Sequence, residues 1–253
     1  MVEALFWPAL LAYGEAALAY SSPRTARAAT WGARVGWLAQ TALLVVQAAR
    51  ADGFPWSSWA GSLNLFVWFV VGAYLIWGCR PRFRLLGLTV MPLAAALFLV
   101  AKLGGGIYGG SGSAYGNVFL VLHVGLVLAA FAGFTLAAAL AVLYLWQEGR
   151  LKSRAPDILS LRLPPLASLE RLTWRTVLVS LPLLTLGLVA GIVRSRQDRA
   201  GFDALEAVTL LTWAVYGAFI GLHPTGRRAA YLALGGFALV IVARLVLAGS
   251  HFT

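Results

Sequence analysis

A chain of 253 residues with 60% hydrophobic and 11% charged residues is too apolar for a soluble domain, in which about a quarter of residues are charged. Its mean hydropathy of +0.82 indicates an integral membrane protein, and its short basic runs between apolar segments exclude a nucleic-acid-binding face as the cause of the net charge of +11. The single cysteine, Cys79, excludes an internal disulfide and a CxxC motif for thiol exchange or covalent haem attachment.

Eight apolar segments have the length of a membrane-spanning helix. They cover residues 2–20, 31–49, 62–78, 83–101, 117–146, 174–193, 204–222 and 229–249. The first has neither a basic n-region nor a small-residue cleavage site, so we expect a retained helix and not a signal peptide. The predicted fold class is an all-α integral membrane protein with eight transmembrane helices, in which residues 1–253 form a single polytopic domain.

The basic residues of the connecting loops predict how the chain is oriented. Fourteen of the twenty lie in the odd-numbered connections and five in the even-numbered ones, which places both termini outside the cytoplasm. The longest connection, 147–173, is therefore a basic cytoplasmic loop, and we expect a short amphipathic piece of it to lie along the lipid surface. The predicted location is a bacterial cytoplasmic membrane, crossed several times.

Three histidines are present, and their predicted depths differ. If Tyr144 and Trp146 anchor the cytoplasmic end of the fifth span, His123 lies at the outer interface. His251 follows the eighth span and emerges at the same level, whereas His223 ends the seventh span on the cytoplasmic side. Two imidazoles at one depth can ligate a haem iron from both axial sides. A histidine at an interface is also a common amphipathic anchor, and spacing alone leaves both interpretations open.

Two ionisable residues lie inside predicted spans, where a charge usually has a partner. Arg244 precedes His251 by seven residues, so both project from nearly one helix face. Its guanidinium could pair with a haem propionate, pair with a carboxylate, or snorkel to the interface. Glu15 lies towards the cytoplasmic half of the first span and could meet His223 or a loop arginine, and nothing in the sequence selects its partner. The sixth loop carries both signs of charge and suggests a mixed-charge site around Arg194, Arg196, Asp198, Arg199, Asp203 and Glu206.

Motifs of other chemistries are absent from the sequence. It has no HExxH, no Cys/His zinc spacing and no phosphate-binding GxxxxGK[ST], and no serine or cysteine nucleophile has a nearby histidine. The glycine-rich connection 104–117 is either a lid over the outer site or a solvated linker. Conventional hydrolytic chemistry is therefore disfavoured.

Several segments resemble the cytochrome c assembly family, which contains the haem-handling CcsA/ResC proteins and the smaller HemX-type proteins found beside haem-biosynthesis genes. The similar segments are VLHV at 121–124, YLWQE at 144–148, DxxE at 203–206, LTW at 211–213, GLH at 221–223, GRRAA at 226–230 and SH at 250–251. The resemblance is best over a family-like core, 117–253, and weaker over 55–68. The tryptophans of the family's WWD segment are missing from the sixth loop, so the chain is most similar to the HemX-type members and we do not expect synthase activity.

The resemblance implies that His123 and His251 are the axial ligands of a haem b at the outer face, and that His223 holds a second site. It also places Asp203 and Glu206 at the acidic end of the family's WWD segment. From their positions in the sequence we add Arg244, with help from Arg194 or Arg196, as further cofactor-binding residues. We therefore predict a haem-binding membrane protein for haem export, delivery or control of haem synthesis. One alternative is a haem-free regulator that docks a haem-biosynthesis enzyme through its basic cytoplasmic loops. The other is a cytochrome c synthase subunit working with a separate assembly partner chain.

Overall fold

The computed structural model describes residues 2–22, 24–51, 55–56, 58–78, 84–108, 118–153, 164–198 and 204–245. These ranges contain eight α-helices and no strand. They are α1 (Val2–Ala19), α2 (Ala26–Arg50), α3 (Trp59–Ala73), α4 (Arg84–Leu103), α5 (Val118–Lys152), α6 (Leu166–Asp198), α7 (Ala204–Leu222) and α8 (Gly226–Leu245). A helix lies at each of the eight predicted positions, which confirms the all-α class.

Five of the helical segments in the described ranges are long and apolar enough to cross a membrane. They are Val2–Ala19, Trp59–Trp77, Leu85–Leu103, Phe119–Lys152 and Leu166–Val193. A shorter apolar stretch, Glu206–Leu222, lies in α7. The protein is thus a multi-pass membrane protein.

Two helices extend well beyond the predicted spans into the connection between them. α5 continues six residues past Trp146 to Lys152, and α6 begins eight residues before Trp174, at Leu166. An ion pair between Lys152 and Glu148, four residues apart and 2.8 Å from Nζ to Oε1, stabilises the added turn of α5. The predicted loop 147–173 is therefore largely helical at both ends, and its middle, 154–163, lies outside the described residues.

The chain forms two compact units, Met1–Val121 and Leu122–Thr253. The prediction of one polytopic domain over 1–253 stays a prediction. In the first unit α1 packs against α2 and α4. Phe6 and Tyr13 of α1 lie against Phe98 of α4, with ring centroids 4.7 and 6.1 Å apart. Gly36 lets α2 approach α1 closely, because a Cβ there would lie 2.7 Å from the Tyr13 ring.

A chain of polar side chains lies at the centre of the first unit. The Tyr13 hydroxyl donates to Oε1 of Gln40 at 2.7 Å, and the Gln40 amide donates to Oδ1 of Asn64 at 2.9 Å. The Asn64 amide donates to Oε1 of Gln47 at 3.1 Å, and the Gln47 amide donates to the Gly106 carbonyl at 2.9 Å. The four side chains are at most 3% exposed. Their hydrogen bonds join α1, α2, α3 and the turn after α4.

The outward face of α2 is apolar, although its buried face is polar. Trp31, Leu38 and Val45 follow one another at seven-residue intervals, and each is at least 60% exposed. Hydrocarbon explains this arrangement, since lipid solvates apolar side chains and leaves polar groups to pair inside the protein. The glutamines Gln40 and Gln47 lower the hydropathy of α2, which explains why α2 is not among the five segments above.

In the second unit α5 and α6 are antiparallel and pack through glycines. A Cβ on Gly187 would lie 2.8 Å from Cγ2 of Val127. A Cβ on Gly133 would overlap the hydroxyl of Ser180. Glycine at these positions lets the helix backbones approach more closely than larger residues would allow.

Tyr216 connects α7 with two other helices of the second unit. Its ring is stacked on Phe134 of α5, with centroids 3.7 Å apart and planes 4° from parallel. Its hydroxyl donates to the Ala233 carbonyl of α8 at 3.0 Å. Its ring also fills the space beside Gly236, where a Cβ would lie 2.7 Å away. These contacts place Phe134, Tyr216 and Gly236 at the same height along the helix axes of the second unit.

Candidate functional site

His123 lies in the second turn of α5 and rests on a notch in α6. The notch consists of Gly187 and Gly191, four residues apart on one helix face. A Cβ on Gly191 would lie 2.6 Å from Nδ1 and 2.7 Å from Cε1 of His123. The imidazole is half-buried there. Any side chain larger than that of glycine at position 191 would displace the His123 ring.

A hydrogen bond fixes the orientation of the His123 ring. Nδ1 lies 2.7 Å from the carbonyl oxygen of Gly187. A carbonyl only accepts, so Nδ1 carries a proton, and in the neutral ring Nε2 then carries the lone pair. Histidines that ligate metals are commonly oriented in this way, with the other ring nitrogen donating to a carbonyl or carboxylate. His123 therefore has the tautomer that an axial ligand requires.

The end of α5 that carries His123 is also the end at which α8 finishes. Glu148 near the end of α5 accepts a hydrogen bond from Arg227 at the start of α8, and Tyr216 contacts both Phe134 earlier in α5 and Gly236 later in α8. The two helices are therefore antiparallel. His123 precedes Phe134 by eleven residues, and Arg244 follows Gly236 by eight. Along straight helices these intervals correspond to about 16 and 12 Å beyond the level of Tyr216. The backbone of Arg244 and the ring of His123 thus belong to the same end of the second unit.

The structure describes the remaining predicted site residues to different extents. Glu206 lies half-buried in the first turn of α7. Arg194 and Arg196 belong to the last turns of α6, and Arg244 to the last turn of α8, but their side chains lie outside the described part. Asp203 and His251 lie outside the described residues altogether. The pairing of His123 with His251 stays a prediction.

His223 lies at a different place, in the turn between α7 and α8. Its φ of 44° is in the left-handed region, which is uncommon for a residue with a side chain. Its ring is exposed and stacked over the Trp174 ring, with centroids 5.9 Å apart and planes at 30°. Trp174 and Gly187, which His223 and His123 contact, are thirteen residues apart in α6, about 20 Å along its axis. The two histidines therefore belong to separate sites.

A cavity of about 300 Å³ adjoins His223. Its lining combines the aromatic rings of Trp174 and Phe219 with the charged side chains of Glu170 and Arg171. The Nε1 of Trp174 is buried without a hydrogen-bond partner among the described residues. Aromatic walls, an imidazole and a guanidinium suit a flat amphiphile that carries acidic groups.

The start of α8 beside this cavity is held by two acidic side chains. Glu170 of α6 accepts a hydrogen bond from the Gly226 amide at 2.9 Å, which satisfies one of the free N–H groups of the first turn. Glu148 accepts from Nε of Arg227 at 2.7 Å, and this contact raises the pKa of the Arg227 guanidinium. Gly226 has a φ of 62°, a conformation that glycine adopts without strain.

Sequence reasoning did not identify Gly187, Gly191, Trp174 or Glu170. The two glycines had a visible signal, since small residues four apart in an apolar span are typical of a close helix contact. Trp174 and Glu170 had no such signal in the sequence, because they lie near His223 only where α6 packs against the turn after α7.

Comparison with known proteins gives consistent matches along most of the chain. The sequence model of the family described as Cytochrome C assembly protein matches residues 56–250. Cytochrome c biogenesis protein CcsA of Gloeothece citriformis is 26% identical, over 85% of this chain and 83% of its own length. Protein HemX of Brevibacillus brevis is 27% identical, over 74% of this chain and 70% of its own length. No solved structure matches the chain.

Proposed function

The chain belongs to the cytochrome c assembly protein family, and from this we propose that it is a haem-binding membrane protein of the HemX type. Membership confirms the resemblance that the sequence motifs predict, and it supports a role in cytochrome c assembly. In this proposal the protein holds haem b at the extracytoplasmic face for export, delivery or control of haem synthesis. Haem supplies an iron with two axial positions for imidazole nitrogens.

The observation that carries the proposal is the seating of His123. Its Nδ1 is hydrogen bonded to the Gly187 carbonyl, and its ring occupies the space that Gly191 leaves open. A histidine that only anchors its helix at the membrane interface needs neither a fixed tautomer nor a glycine notch. A metal ligand needs a fixed tautomer and ring orientation, since its lone pair must point steadily at one metal position.

His251 is the proposed second ligand, and Arg244 the proposed partner of a propionate. The antiparallel course of α5 and α8, which brings the backbone of Arg244 to the same end as His123, supports this assignment. Asp203 and Glu206 follow from the family resemblance, and Arg194 and Arg196 from the mixed charge of the sixth loop, as proposed neighbours of that end. His223, with Trp174 and Arg171 around its cavity, is the proposed second haem position at the opposite end.

The proposed topology is eight spans in a bacterial cytoplasmic membrane, with both termini outside the cytoplasm. Eight helices at the predicted positions and the exposed apolar face of α2 support the number of spans. The excess of basic residues in the odd-numbered connections supports the orientation. His123 then lies at the outer end and His223 at the cytoplasmic end.

The absorption spectrum of the purified full chain with added haem tests the outer site. We expect a low-spin bis-histidine spectrum that is lost in the double variant His123→Ala/His251→Ala and retained in His223→Ala at reduced haem content. An unchanged bis-histidine spectrum in the double variant would show that the outer site is wrong.

A second candidate function is a haem-free regulator that docks a haem-biosynthesis enzyme. It is favoured by the exposed guanidiniums of Arg171, Arg175 and Arg228, for which the described residues provide no ion-pair partner. Pull-down of the purified enzyme by the full chain and by a triple Arg→Ser variant tests it. Binding that depends on these arginines in haem-free protein would favour the regulator.

A further inference from the structure

The helix α1 has one packed face and one open face. Phe6, Ala9, Tyr13 and Ala16 are buried against the rest of the first unit. Leu11 and Leu18 on the other side are 67% and 77% exposed. Glu15 lies between them on the same side, since positions 11, 15 and 18 follow the spacing of one helix face. Between Leu11 and Leu18 the open face is thus apolar apart from a single carboxylate, whereas the exposed Glu3 at the start of α1 pairs with Lys102.

Glu15 has no hydrogen bond or ion pair with any residue that the structure describes, and its side chain is exposed. α1 is apolar enough to cross a membrane, and Glu15 lies four residues, or about 6 Å, before its end at Ala19. At that depth no described residue of the first unit covers the open face. A carboxylate there is unfavourable in hydrocarbon, and charges at such positions usually mark a functional contact.

Gly14, next to Glu15, gives a second and independent indication. A Cβ on Gly14 would have no atom within 4 Å, so packing within the chain does not require glycine at this position. Glycine also weakens a helix interior relative to alanine by about 0.5–1 kcal/mol. Small residues on the outer face of a spanning helix are typical of positions where a neighbouring helix comes close.

We propose that the α1 face formed by Leu11, Gly14, Glu15 and Leu18 docks a transmembrane helix of a second protein, and that this helix carries a lysine or arginine opposite Glu15. Charge complementarity selects the partner. A two-fold contact with a second copy of this chain would bring two Glu15 carboxylates together and is disfavoured. The proposal rests on α1 alone and does not depend on haem binding.

Site-specific photo-crosslinking in cells that express the full chain tests the proposal. A benzoylphenylalanine replaces Leu11 or Leu18, and mass spectrometry identifies the peptide joined to it. Val45 on the exposed face of α2 is the matched control position, at 61% exposure. We expect adducts from α1, and not from Val45, to a spanning segment of another protein that contains lysine or arginine. Adducts only to lipid, to a second copy, or to any other segment of the same chain would overturn the proposal.

The carboxylate itself is tested by Glu15→Gln, which keeps the size of the side chain. We expect an adduct yield about tenfold lower in Glu15→Gln, which corresponds to about 1.4 kcal/mol. The variant Glu15→Lys should lose the adduct, and the exchange of the partner's basic residue for glutamate should restore it. An adduct yield unchanged by Glu15→Gln would overturn the role of the charge. The haem spectrum of Glu15→Gln should match the parent's, which separates this test from that of haem binding.

Discussion

The Nδ1 of His123 donates to the carbonyl of Gly187, 2.7 Å away, across the contact between α5 and α6. This bond couples a candidate metal ligand to the packing of two helices. Any change that separates the helices, or that fills the notch on α6, should therefore alter the orientation of the imidazole.

Filling the notch tests this coupling directly. In Gly191→Ala the new methyl group would lie 2.6 Å from Nδ1 of His123, so the ring must leave its position. We expect haem affinity at least tenfold lower, measured by titration of the Soret absorbance, because the ligand loses its orienting hydrogen bond. Gly235→Ala in α8 is the matched control, since a Cβ there has no atom within 4 Å. Equal haem affinities in the two variants would contradict the role of the notch.

Because α5 and α6 are in close contact at Gly133, the stability of the second unit should depend on the size of the side chain at this position. A Cβ at this position overlaps the Ser180 hydroxyl, and we expect Gly133→Ala to destabilise the second unit by about 1–3 kcal/mol. The measurement is thermal unfolding in detergent. Gly125→Ala, on the same helix and with no atom near its Cβ, should be neutral or slightly stabilising. A reversed order of the two melting temperatures would show that the Ser180 side chain or the helices can move aside without cost.

The buried polar chain of the first unit should not tolerate the loss of one member. Gln40→Leu removes the partner of both the Tyr13 hydroxyl and the Asn64 side chain, which remain buried. We expect a loss of about 1–3 kcal/mol for each polar group left without a partner. Chemical unfolding in detergent measures this loss of stability, and Val45→Leu on the exposed face of α2 is the control variant. A Gln40→Leu protein as stable as the parent would mean that water or a rotated side chain replaces the bonds.

The acceptor at the start of α8 should matter more than its charge. Glu170→Leu leaves the Gly226 amide without its acceptor, and we expect a loss of about 1 kcal/mol, as for other helix caps. Glu170→Gln keeps an oxygen at the same distance along the side chain and should restore most of the stability. The unfolding midpoints of Glu170→Leu and Glu170→Gln show whether the acceptor or the charge has the larger effect. If glutamine is as harmful as leucine, the negative charge near the helix dipole is the larger effect.

The sequence alone determines the class of the protein and the position of its helices. Apolar segments of spanning length are a local property of composition, so all eight helices could be located from periodicity and charge. The ends of α5 and α6 could not, since ion pairs such as Glu148 with Lys152 extend a helix beyond the lipid, where hydropathy has no signal. The family, too, could be recognised from short motifs around His123, His223 and Arg227.

What only the tertiary structure decided is the surroundings of each histidine. The notch at Gly191 and the carbonyl of Gly187 are 64 to 68 positions from His123 in the chain, and no local pattern connects them. The same holds for Trp174 beneath His223 and for the open face that leaves Glu15 without a partner in the described residues. Hydropathy reports whether a residue can enter lipid, whereas the direction in which a side chain points depends on how helices pack against one another.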